Sequence, residues 1–277
     1  MSAVFDTARF GRLWRAHWAE RSKSYLWFFG VCIIVYLMMA LMAFATVGED
    51  TFRHEGQMIC FYMGLFVTGA IFAARHFEAL SRQESVLLIL MRPASVFEKI
   101  LLAFVMAVLF YPLMYTVIYT MCNYPMVKIA QAIRLADVQA NPSEYNVYEP
   151  EDFALFIPFF SLGDAAAKDA FYIRITQGLL ALGFISVQAF CVGGSLFFKR
   201  LPMLKTVLAA FLLFVGFVLL IAITGASPEL LFGLWYERQE RQLLDWWQMA
   251  AVFMFWIGTP IMLWVTAFFH LKEREVA

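Results

Sequence analysis

The sequence predicts an all-α polytopic membrane protein with six transmembrane helices, both termini on the cytoplasmic side, an N-terminal interfacial helix and a cytoplasmic coupling helix. Three observations predict it: the apolar content, six runs long enough to span, and a lopsided distribution of basic residues. The 277 residues are 62% hydrophobic, 18% aromatic and 15% charged, with a mean hydropathy of +0.72. Soluble domains run at about 45–50% apolar and about 25% charged. A single soluble core of this size could not hide the excess, so the bilayer is the solvent for much of the chain. The net charge of zero gives no reason to expect nucleic-acid binding.

A spanning helix needs roughly 20 largely apolar residues. Runs at about 25–47, 57–74, 100–120, 176–198, 206–227 and 247–269 meet that need, and none contains Asp, Glu, Lys, Arg or His. Segments 1–24, 75–99, 199–205 and 270–277 together hold 14 basic and 7 acidic residues; the opposite segments 48–56, 121–175 and 228–246 hold 7 basic and 14 acidic. By the positive-inside rule the first set is cytoplasmic, so both ends are expected inside; the expected location is the plasma (inner) membrane. Trp14, Trp18 and Trp27 fall near the inner boundary and Trp235, Trp246 and Trp247 near the outer one, as interfacial anchors do.

Residues 5–23 read as a helix lying on the cytoplasmic surface. Phe10, Leu13, Trp14, His17 and Trp18 take one face and Arg9, Arg12, Arg15 and Glu20 the other, the pattern of an interfacial amphipathic helix. No apolar run follows the first charges at once, so the first long apolar segment is expected to stay as a membrane helix rather than be removed as a signal peptide. The large outer loop, 121–175, is expected to hold a short helix (VKIAQAIRLADVQ), an acidic irregular region, and the apolar FALFIPFF at 153–160. That last piece is too short to span and should rest on the membrane or on other helices. The loop 228–246 mixes an apolar half with a charged one. Without internal repeats or linkers, 1–277 reads as one membrane domain.

Breakers interrupt several spans: Pro112 in the third, Gly193-Gly194 near the end of the fourth, and Gly258-Thr259-Pro260 in the sixth. Membrane helices tolerate such residues, and Pro112, Gly258 and Pro260 are candidate hinges. The chemistry that is absent narrows the function. There is no GxxxxGK[ST] phosphate loop and no HExxH, the four histidines are scattered, and the four cysteines form no CxxC pair. The chain therefore reads as a non-enzyme with no metal site and no cofactor of its own. Ion-coupled carriers keep ionisable groups at membrane depth, which these spans lack. Energy for any uphill transport is expected to enter from outside the membrane.

One stretch, RQESVLLILMRPASVFEKIL (82–101), is apolar yet too short to cross. Residues 76–91 can form a helix whose stripe holds Phe77, Leu80, Leu87, Leu88 and Met91 while Glu78, Arg82, Gln83 and Glu84 face the cytosol. Pro93 stops it, because proline disfavours helical geometry at the preceding Arg92. Ser95-Val96-Phe97-Glu98 then has the S-x-x-E form of a capping box and restarts a helix leading into span three. Helix, break, helix is a lever suited to passing motion from a cytoplasmic partner into the membrane.

Here the chain resembles a permease subunit of the type-2 ABC exporter family. The matching residues are Pro93-Ala94-Ser95 with Glu98-Lys99, the run GGSLFFKRLPMLKTVL at 193–208, and FFHLKERE at 268–275. The resemblance implies a six-span subunit paired with a second permease copy and with two nucleotide-binding ATPase subunits, which would hold the ATP and Mg. Residues 76–91 would dock on the ATPase through Phe77, Arg82, Gln83, Glu84 and Arg92, with Pro93, Ser95, Glu98 and Lys99 forming the junction to the span. The alternative from another class is a non-transporting anchor or sensor that recruits a cytoplasmic ATPase complex, for which hinge-like breakers would serve no purpose.

Overall fold

The computed structural model describes residues 5–76, 94–140, 153–158, 167–198, 201–224, 246, 250 and 253–276. The regular structure in these residues is helical, with no strand among them. Five helices are long and apolar enough to cross a membrane: Thr7–Thr46, His54–Ala74, Val96–Gln139, Thr176–Phe197 and Met254–Glu273. The protein is a multi-pass membrane protein. Its surface agrees, since Leu26, Trp27, Met38, Leu41 and Met42 on the first helix are each more than half exposed, an arrangement that lipid accepts and water does not.

Helix α1 runs unbroken from Thr7 to Val47, 41 residues, or about 60 Å at 1.5 Å per residue. A surface helix at 5–23 followed by a separate span at 25–47 is therefore not what forms. The intervening Ala19, Glu20, Arg21 and Lys23 are strong helix formers, and nothing between the two pieces interrupts the backbone. The stop comes at Gly48, whose φ of +75° is the left-handed conformation that glycine supplies after a helix end. A 3₁₀ turn, Gly48–Phe52, leads into α2, His54–Ala74, close to the expected 57–74.

Helix α3 spans Val96–Phe104, passes through a π-helical segment at Val105–Phe110, and continues as α4, Tyr111–Ala140. The short helix expected at the start of the outer loop is thus the far end of α4. Residues 121–140 contain no glycine, and the helix carries Pro125 inside it. Helix α5 covers Ala167–Phe197 and α6 Pro202–Thr224. The fifth expected span, 206–227, falls on α6, where the described apolar stretch Leu204–Leu213 is shorter than a span. A second π segment, Met254–Gly258, opens into α7, Thr259–Val276.

The chain divides into two compact units. One comprises Met1–Trp14, Ala70–Val108 and Ala181–Ala277, the other Arg15–Gly69 and Leu109–Leu180. In the first, the core joins Ala73 and Ala74 of α2, Ile100 and Ala103 of α3, Ala107, Cys191, Val192 and Leu196 of α5, and Ala267 and Leu271 of α7. Half of these residues are alanine. Between membrane helices there is no hydrophobic driving force, so small residues that let backbones approach closely carry the packing. Gly194 makes a similar approach to α6: a Cβ there would lie 2.3 Å from Thr206 Oγ1.

In the second unit, Tyr111, Tyr115 and Tyr119 recur every four residues on α4 and are fully buried. Each hydroxyl finds a partner on α2. Tyr111 pairs with Thr68 Oγ1 at 2.5 Å, Tyr115 donates to the Phe61 carbonyl at 3.2 Å, and Tyr119 donates to the Gln57 carbonyl at 3.0 Å. Gly64 makes room for this ladder, because a Cβ would lie 2.1 Å from the Tyr115 hydroxyl. At one end Gln57, 1% exposed, is saturated. Its Nε2 donates to the carbonyls of Phe52 and Ala154, and its Oε1 accepts from Asn123 Nδ2 and the Phe156 N–H. Asn123 in turn accepts from Tyr36 at 2.7 Å. Residues 153–158, within the expected outer loop, rest on these helices, with Phe153 and Phe156 buried.

Candidate functional site

The capping box read from the sequence is formed. Ser95 sits at the N-cap of α3 with extended backbone; its Oγ accepts from the Glu98 N–H at 3.2 Å, and the Glu98 carboxylate accepts from the Ser95 N–H at 3.0 Å. Two of the orphan donors at the helix start are thereby satisfied reciprocally.

The carboxylate is also shared with a distant part of the chain. Arg9 Nε donates to both carboxylate oxygens, at 2.9 and 2.7 Å, and the Asp6 N–H donates to Oε1 at 2.9 Å. Asp6 caps the start of α1, its Oδ1 accepting from the Ala8 and Arg9 N–H groups at 2.8 and 3.3 Å. Phe5 adds an edge-to-face contact with Phe97, ring centroids 6.3 Å apart. The start of α1 is thus tied to the start of α3 across 89 residues of chain. Glu98 is fully buried and Arg9 about one-fifth exposed, so the charges meet where water screens them little.

Glu98 stands in the first turn of the 44-residue stretch Val96–Gln139, a stretch about twice as long as a hydrocarbon core is thick, and two residues before the apolar run that begins at Ile100. Burial alone would push its carboxyl pKa up. The hydrogen bonds from Arg9, Asp6 and Ser95 outweigh that and hold it below the usual carboxylate range, as they should for a carboxylate with several donors. Lys99, the next residue, is buried.

Both predicted hinges coincide with π turns. Pro112 has no N–H to give the Val108 carbonyl, and its ring would press on that carbonyl in a regular α-turn. The backbone widens over Val105–Phe110 instead, a π insertion of the kind that accommodates such a mismatch. Pro260 stands in the same relation to Trp256, inside Met254–Gly258, and the Thr259 N–H bonds the Met254 carbonyl five residues back.

Comparison with protein-family models, with curated proteins and with solved structures gave no significant match. The site is accordingly read from its own geometry. Of the residues singled out in the sequence, Ser95, Glu98 and Lys99 come together at the start of α3, and Pro112, Gly258 and Pro260 sit at the π segments. Phe77, Arg82, Gln83, Glu84, Arg92 and Pro93 lie outside the described residues.

Two partners escaped the sequence reading. Arg9, assigned to the polar face of a surface helix, instead neutralises Glu98; the signal was a capping-box carboxylate at a membrane boundary, which needs a cation once buried. His17, assigned to the rim of that helix, is buried against Tyr25, ring nitrogen to hydroxyl 2.5 Å. Residues 17 and 25 share a face eight residues apart on a continuous helix, a pairing that a helix ending at 23 would have prevented.

Proposed function

We propose that the chain is the membrane-spanning permease subunit of an ATP-driven exporter of the type-2 ABC kind, working with a second permease copy and with separate ATP-hydrolysing subunits. In this reading α6 supplies the fifth of six spans, both termini are cytoplasmic, and the plasma (inner) membrane is the site of action. Residues 76–91 meet the ATPase through Phe77, Arg82, Gln83, Glu84 and Arg92, and the chain itself performs no catalysis.

The observation that carries this reading is the lock at the start of α3. A segment that only touched lipid would need no rigid attachment. The helix that directly follows 76–91 begins with a reciprocal cap, and its capping carboxylate is held by Arg9 and Asp6. Force applied just before Ser95 would therefore reach α3 and the start of α1 together instead of dissipating in a loose turn. The π segments at Pro112 and Pro260 support transport over a static anchor, because such insertions lie frequently at functional sites and weaken the regular hydrogen-bond ladder where a helix must bend.

The test is charge reversal in the docking segment. Arg82→Glu or Glu84→Arg should abolish permease-stimulated ATP hydrolysis by the co-expressed ATPase while leaving membrane insertion intact. Undiminished stimulation in both variants would remove 76–91 as the contact.

A further inference from the structure

Within the unit built from residues 70–108 and 181–277, a groove of about 350 Å³ opens among α5, α6 and α7. Its lining is almost wholly apolar: Phe190, Gly193, Gly194 and Phe197 of α5, Ala209 of α6, and Leu263 of α7 are representative. Gly193 leaves open space in it, since a Cβ there would find only Ala267, 4.0 Å away. Helices α5 and α7 belong to stretches apolar enough to cross the membrane, so lipid is the medium that faces such a groove.

One end differs. His270 lines it, its ring against Phe197 with centroids 5.2 Å apart. Its Nδ1 lies 3.6 Å from Glu273, while its Nε2 is buried with no hydrogen-bond partner among the described residues. A buried ring nitrogen left so is costly. Thr266, also in the lining, already spends its hydroxyl on the Met262 carbonyl at 2.8 Å. Near the same end Lys205 Nζ stands 5.8 Å from the ring centroid of Phe198, another lining residue. Lys205 lies one turn before Ala209 on α6, so its ammonium lies by the groove without filling it. Glu273 also lines this end, so the trough is apolar along its length and ends in a ring nitrogen and a carboxylate, with a cation beside Phe198; it complements an amphiphile whose head carries a phosphate.

We propose that this groove holds one phospholipid, an acyl chain lying along Phe190, Gly193 and Phe197 and the phosphate end meeting His270 and Lys205. The phosphate oxygens accept a hydrogen bond from the Nε2–H form of the ring and lie by the ammonium. The proposal needs only the membrane setting and stands apart from the exporter reading.

The test uses the full-length chain in nanodiscs of phosphatidylcholine doped with a phosphatidylglycerol carrying a photoactivatable diazirine in its acyl chain. Label is expected on peptides covering 189–198 and 263–270. Gly193→Leu should cut it at least tenfold, and Ala209→Phe, which fills the groove from α6, should do the same if the first variant fails to fold. Lys205→Gln should bring labelling by the probe down severalfold. Label spread evenly over the exposed apolar helices, unchanged in folded Gly193→Leu or Ala209→Phe, overturns the proposal. So does efficient disulfide crosslinking between two Gly193→Cys chains in the membrane, which would make the occupant a second copy.

Discussion

Glu98 answers to three groups at once: it caps its own helix, accepts from the Asp6 N–H and pairs with Arg9. Removing each relationship has its own signature. Ser95→Ala takes away half of the capping box and should lower stability by about 1 kcal/mol, as N-cap deletions do. Glu98→Ala should lower it further, because it also strands Arg9. Arg9→Ala and Glu98→Ala together should cost clearly less than their sum, the mark of a direct pair in a double-mutant cycle. The pH dependence has a definite sign. A carboxyl whose pKa is lowered on folding contributes stability at pH above its unfolded value and loses it as pH falls through the lowered folded value. Thermal unfolding in detergent should therefore show an acid-side loss below the ordinary value of 4.5 that Glu98→Gln flattens. Gln57 gives a second residue-scale test. Gln57→Leu leaves the Asn123 amide and the Phe156 N–H without their acceptor and two carbonyls without their donor, a loss on the order of 3 kcal/mol from unsatisfied buried groups. The cap at Ser95 was legible in the sequence because it is local, four consecutive residues with fixed roles. The ties from Arg9 to Glu98 and from Gln57 to Phe156 were not, since both join residues about 90 to 100 positions apart and no periodicity encodes them.

At the scale of the helix, Pro112 and Pro260 each follow a π segment, whereas Pro125 sits within regular α-helix. Pro112→Ala restores an N–H that can reach the Val108 carbonyl, so the π segment at Val105–Phe110 should close into regular α-helix. Hydrogen exchange of residues 105–111 should then slow by tenfold or more, and unchanged exchange would show that the π turn has another cause. Gly64→Leu should act in the opposite direction. The added side chain meets the Tyr115 hydroxyl, which must leave its bond to Phe61, so the α2–α4 pairing should loosen and the unfolding temperature fall. Spans two, three and four were legible from apolar length alone; α2 matches its expected limits within three residues, while α5 ends where expected but starts nine residues early. The ends of α1 and α4 were not, because helices here run well past the apolar stretch. Segment 19–24 is polar but made of helix formers, and 121–140 is interrupted by Lys128, Arg134 and Asp137 but contains no glycine. Polarity marks where a helix leaves the bilayer; it does not mark where a helix stops.

For the whole molecule, the proposed function has work imported from a partner. The long apolar helices offer no ionisable group at membrane depth within the runs first recognised, and what the chain does offer is a short segment before a capped and clamped helix start, followed by two proline-dependent weak points. The membrane class was legible because bulk composition reports the solvent of a fold. The partner was only inferable, since a docking surface takes its meaning from the protein that covers it. The most direct measurement is capture of the full-length chain from its native membrane under mild detergent, with mass spectrometry of what accompanies it and assay of ATP hydrolysis. The account predicts a stoichiometric nucleotide-binding ATPase subunit, lost when Arg82→Glu is captured in the same way. Wild-type chain recovered intact, with no nucleotide-binding subunit and no ATPase activity, would contradict it.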